Sequence, residues 1–158
     1  MKSNISCAIL ILLTVFLICS CNMEPELTAE ADRIATVGIN SVSDIINKYD
    51  KSGHYDGLSV VLGDNDLVVY NFSNCSTTID LSNLYPSWGT KTVVISGQVS
   101  LKFDAYPESY PATMTLNIRY LYGGETHTLE MKVRVTGISS MTASAIKVDG
   151  VSYKPKQI

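Results

Sequence analysis

Three segments in the second half of the chain, residues 92–103, 113–122 and 126–136, alternate apolar with polar side chains. Val93, Ile95, Gly97, Val99, Leu101 and Phe103 share one face of the first. Met114, Leu116, Ile118, Tyr120 and Tyr122 share a face of the second, and Leu129, Met131, Val133 and Val135 a face of the third. A period of two marks a strand buried on one side only, and such strands belong to antiparallel sheets. Between the second and third lies Gly123-Gly124. Two adjacent residues that accept positive φ predict a two-residue hairpin. Turn length and alternation then agree on one register: Tyr122 opposite Glu125, Tyr120 opposite His127, Ile118 opposite Leu129 and Leu116 opposite Met131. Arg119 faces Thr128 and Asn117 faces Glu130 on the polar side. A slip by one residue would turn a whole strand inside out. This register makes His127 an inward-facing structural residue beside Tyr120.

Shorter strands are expected on either side. Residues 58–62 and 67–72 flank the turn Gly63-Asp64-Asn65-Asp66, and 76–81 reads as a short separate strand. Residues 82–90 and 104–111 read as loops, and 145–153 as a small hairpin around Asp149-Gly150. Ahead of all strands, residues 29–49 carry Ile34, Val37, Ser41, Val42, Ile45 and Tyr49 at helical spacing. Thr28 fits the N-cap, Glu30 and Asp32 suit the first turn, and Gly53 suits the stop. Gly38 and the β-branched residues weaken this helix, so it depends on packing. The expected fold is α+β, mainly β: an N-terminal amphipathic helix packed on a curved antiparallel meander or half-open barrel. The alternative is a β-sandwich with the helix outside.

The first 21 residues have a different character. Met1-Lys2 gives a positive start, and residues 7–19 form an apolar run of 13. That is the length of a signal-peptide core, short of the roughly 20 residues a spanning helix needs. The run ends in Ile18-Cys19-Ser20-Cys21, which resembles the lipobox of bacterial lipoproteins. The resemblance implies cleavage before Cys21, a diacylglyceryl thioether on its sulfur and a further acyl chain such as palmitate on the new amino group. Cys19 would leave with the leader, because Ile18 is too bulky to precede a modified Cys19. Two or three acyl chains anchor a protein stably where one does not. The expected organisation is a signal peptide over 1–20, a lipidated flexible tether over 21–28 and one β-rich domain over 29–158. The resemblance places the protein on a cell membrane or outer membrane, facing periplasm or exterior. Asn22, in place of the Asp that some bacteria use for inner-membrane retention, favours the outer membrane or surface.

The rest of the sequence limits the chemistry. With a net charge of −3 and scattered Lys and Arg, the chain has no basic footprint for nucleic acid. It holds no nucleotide-binding glycine loop, no G-x-S-x-G and no histidine pair at metal spacing, so no cofactor or metal is implied. His54 and Asp56, with a distant serine, form a weak hydrolase set, and their ordinary place is a solvated loop. The oxygens of Asp64, Asn65 and Asp66 suit a turn better than calcium. Cys75, the one cysteine beyond the leader segment, reads as an inert thiol. Asn71 and Asn74 match glycosylation sequons, which matter only outside bacteria. The aromatic loops stand out: Tyr85 and Trp88 in one, Tyr106 and Tyr110 in the other. Falling at one sheet end, they would make an amphipathic contact surface for an envelope protein, carbohydrate or lipid; otherwise they pin loops to the core. The functional expectation is a non-enzymatic, lipid-anchored binding or structural module of the cell envelope. The alternatives are a carrier holding an apolar ligand between sheet and helix, and an enzyme with a dispersed site.

Overall fold

A computed structural model describes residues 28–64, 66–82, 86–105, 109–137 and 140–153. Residues 1–27, with Cys21 among them, lie outside these, as do Tyr85 and Tyr106. One helix, α1 (Ala29–Ser52), precedes seven strands: β1 (Leu58–Gly63), β2 (Leu67–Asp80), β3 (Thr90–Ala105), β4 (Ser109–Tyr122), β5 (Glu125–Gly137), β6 (Ser140–Val148) and β7 (Val151–Tyr153). All seven pair in chain order as one antiparallel sheet, so the single ladder replaces the two-sheet alternative. Short connections between sequential antiparallel strands produce this order without crossovers.

The β4–β5 hairpin has the predicted register at every pair from Tyr122–Glu125 to Leu116–Met131. Gly123 and Gly124 have φ of 61° and 87°, the left-handed conformation a two-residue hairpin requires. Asp149 and Gly150 repeat it between β6 and β7, with φ of 48° and 83°.

Strand β6, read from the sequence as starting at 145, begins at Ser140 and pairs along β5, and two further differences have a local cause. Residues 67–72 and 76–81 belong largely to one continuous β2 of 14 residues. Its buried positions run Val68, Tyr70, Phe72 and then Cys75, Thr77, Ile79, so the alternation changes phase once. The cause is a β-bulge: Ser73 and Asn74 together oppose Ser96 of β3, between the Phe72–Gly97 and Cys75–Ile95 pairs. Asn74 takes φ of 52°, which asparagine tolerates better than most residues. Its backbone N–H donates to Ser96 Oγ at 3.1 Å, and Ser96 Oγ donates to Asn74 Oδ1 at 3.0 Å. The second difference is β4, which starts at Ser109 and so takes in Tyr110-Pro111. Pro111 stands where β3 shifts register between Phe103 and Ala105, so its missing N–H breaks no ladder pair. Gly63 also belongs to β1, pairing with Leu67, which shortens the first connection to residues 64–66.

Helix α1 begins at Thr28, whose Oγ1 accepts from Ala31 N at 3.1 Å, and it stops at Gly53 in the left-handed conformation. Val37, Ile39, Val42, Ile45 and Ile46 are fully buried, while Ile34 is only half-buried. The helix meets the apolar sheet face directly. A Cβ on Gly38 would sit 2.8 Å from Tyr120 Cε1 and 3.3 Å from Ile118 Cδ1. The Tyr120 hydroxyl donates to the Ile34 carbonyl. Further along, the Thr77 hydroxyl of β2 donates to Asp44, and Lys48 Nζ reaches both Asp44 Oδ2 at 2.6 Å and Thr77 Oγ1 at 3.2 Å. The start of α1 thus lies over β4 and its later turns over β2. Core residues from α1 and β2–β6 form one hydrophobic cluster.

Candidate functional site

Trp88 and Tyr110 fall at opposite ends of β3, because the loops they come from precede and follow that strand. Trp88 and Tyr110 therefore do not join into one surface, and Tyr85 and Tyr106 lie outside the described residues. Tyr110 is half-buried against the core. Trp88 sits at the sheet end where α1 begins. Its ring lies 6.2 Å from that of Tyr122, tilted by 37°, and the Arg33 guanidinium stands 5.0 Å from the ring centroid. That is the separation of a cation–π contact.

A cleft of about 180 Å³ opens here, lined by Glu30, Arg33 and Ile34 of α1, Trp88, and Tyr122, Gly123, Glu125 and His127 of the β4–β5 hairpin. His127 is 8% exposed and packs on Tyr120, with ring centroids 5.8 Å apart, as the register requires. It has a partner the sequence reading missed. Nδ1 lies 2.8 Å from Asp149 Oδ2. A carboxylate only accepts, so Nδ1 carries the proton and Nε2 is the second, distinct ring atom. Asp149 is itself held: Thr128 N donates to its Oδ1 at 2.7 Å, and its own N donates to Thr128 O at 3.0 Å. The Asp-Gly turn of the closing hairpin thereby orients an imidazole on β5. Glu125 Oε2 stands 3.9 Å from Nε2, beyond hydrogen-bond reach. The signal for this pairing was the Asp149-Gly150 turn, but only the β5–β6 register brings it beside Thr128.

The cleft lining offers no serine, threonine, cysteine or lysine nucleophile. It offers an oriented imidazole, a guanidinium, two carboxylates and two aromatic rings, which suits non-covalent contact. Arg33 also pairs loosely with Glu30 at 3.6 Å.

Elsewhere, His54 Nε2 lies 3.1 Å from Asp56 Oδ1, with both side chains in solvent. Ser76 borders the same open hollow, but among the described residues no hydrogen bond joins its hydroxyl to the imidazole. The Ser52 hydroxyl donates to the His54 backbone carbonyl at 2.6 Å and leaves the ring alone. The Asp44–Lys48–Thr77 cluster resembles a nucleophile with a base, yet the hydrogen bond that Lys48 donates to Asp44 raises the Lys48 pKa. A lysine held protonated cannot take the Thr77 proton. Cys75 is fully buried, and burial raises its pKa, so the reactive thiolate is disfavoured. Among the described residues, no group of three or more His, Cys, Asp or Glu is placed to hold a metal ion, and no helix is long and apolar enough to cross a membrane.

Comparison with protein-family models, with curated proteins and with solved structures found no match.

Proposed function

We propose that this is a lipid-anchored protein of the cell envelope, cut before Cys21 and held by acyl chains on that residue, whose domain binds or structures rather than catalyses. The observation that carries the reading is Ile18-Cys19-Ser20-Cys21 at the end of the apolar run over 7–19. In the mature chain α1 is then the first element, an amphipathic helix on a sheet curved toward a half-open barrel. The buried stripe Val37, Val42 and Ile45, with Arg33, Lys48 and Lys51 exposed, supports the amphipathic character of α1. The binding side of the proposal is supported by a cleft that gathers an oriented imidazole, a guanidinium and two aromatic rings. A carrier holding an apolar ligand between helix and sheet is less well supported. Gly38 against Tyr120 leaves no room there for even one added methyl group.

The test is fractionation. Cys21→Ser should move the protein from the membrane to the soluble fraction, because no acyl chain can be attached. Cys19→Ser should leave it membrane-bound. Equal membrane partitioning of wild type and Cys21→Ser would overturn the proposal.

A further inference from the structure

If acyl chains hold Cys21, only six residues, 22–27, lie between the anchor and Thr28, the N-cap of α1. Those seven Cα-to-Cα steps span at most about 25 Å. Thr28 starts α1 at the sheet end that carries Trp88, Tyr122 and the β4–β5 turn. The opposite end lies the length of β3 away, about 50 Å for a strand of 16 residues. Of the four exposed large apolar residues among those described, Leu121 at 47% and Val151 at 54% belong to strands that meet turns at the tethered end, while Val61 and Leu62 belong to the opposite end. Trp88 and Tyr122 lie at this end, half-buried against the core, and such amphipathic rings favour the headgroup layer of a bilayer. Arg33, over Trp88, can turn its guanidinium to a lipid phosphate while its stem stays on the ring.

We propose that this end of the sheet is the face the domain seats on its own membrane, with Trp88 at the headgroup level. The proposal rests on anchoring at Cys21. It also specifies the lipid. Glu30, Asp32, Asp44, Asp80, Glu125 and Asp149 stand against Arg33, Lys48, Lys91 and Arg119 at this end, an acidic excess of two, so a zwitterionic surface fits better than an anionic one. The contact is shallow and apolar, stabilised by the rings and two aliphatic side chains rather than by charge.

Trp88 is the only tryptophan in the chain, so it reports on this end alone. The full-length lipidated protein would be reconstituted into phosphatidylcholine vesicles with and without bromine on the upper acyl chain. Bromine should quench Trp88 emission, and added phosphatidylglycerol should weaken the quenching at low salt. A variant carrying Trp88→Phe and Tyr110→Trp moves the reporter to the far end and should keep its emission. Unchanged Trp88 emission in protein that sediments with the vesicles would overturn the docking and leave the anchor intact. Quenching at both positions would mean that the domain lies flat and would also overturn it. Wild type that fails to sediment with vesicles would remove the anchoring reading and this proposal together.

Discussion

Gly38 is the point where two opposing effects on one residue can be compared. In a helix interior alanine is favoured over glycine by about 1 kcal/mol. Here the added Cβ would lie 2.8 Å from Tyr120 Cε1. That ring is buried and its hydroxyl is tied to the Ile34 carbonyl, so it cannot move aside freely. Overpacking of this kind costs about 1–3 kcal/mol. Gly38→Ala is therefore expected to destabilise by up to about 2 kcal/mol net in urea denaturation. In a Tyr120→Leu background the same change should lose most of its penalty; equal effects in both backgrounds would show that the ring is not the cause. From the sequence Gly38 reads only as a helix weakness, because its reason is a side chain on a distant strand. His127 was legible in part. Its inward position beside Tyr120 follows from the Gly-Gly turn, but its bond to Asp149 depends on a strand pairing that no local pattern specifies.

Among elements, the β4–β5 hairpin was readable because turn chemistry and alternation point to the same register. Strand β2 was not, because a bulge changes the phase of alternation and splits one strand into two apparent pieces. Asn74→Val tests that explanation. A β-branched residue at φ of 52° is strained, and the side chain that bonds Ser96 is lost, so a loss of about 1–3 kcal/mol is expected. A loss below about 0.5 kcal/mol, the level of an ordinary surface change, would mean the bulge is not sustained by Asn74. Helix α1 was placed by its caps and stripe, though it extends to Ser52, beyond residue 49. Ile45 is fully buried, and Ile45→Ala should cost about 2–5 kcal/mol. A loss near zero in thermal or urea unfolding would show that the helix is not docked. The separation of Trp88 from Tyr110 needs no coordinates in hindsight: two loops flanking one strand emerge at its opposite ends.

At the scale of the whole molecule, stability should decline in alkali. Burial, with the Asp50 charge adding to it, raises the Tyr70 hydroxyl far above its ordinary 10.0. Burial and then Asp149 do the same to Tyr120, and burial raises the Cys75 thiol above its ordinary 9.0. A group raised in the folded state lends its full stability below the unfolded value and loses it as pH rises toward the folded one. Urea midpoints should therefore be level from neutrality to about pH 9 and fall beyond about pH 10. Tyr70→Phe should flatten that fall, and an unchanged slope would remove Tyr70 from the explanation. The central claim concerns how the molecule is held, and the intact mass of the mature protein tests it most directly. The mature chain is expected to begin at Cys21 and to carry the added mass of a diacylglyceryl group. A chain that begins elsewhere, or begins at Cys21 with an unmodified thiol, would contradict it.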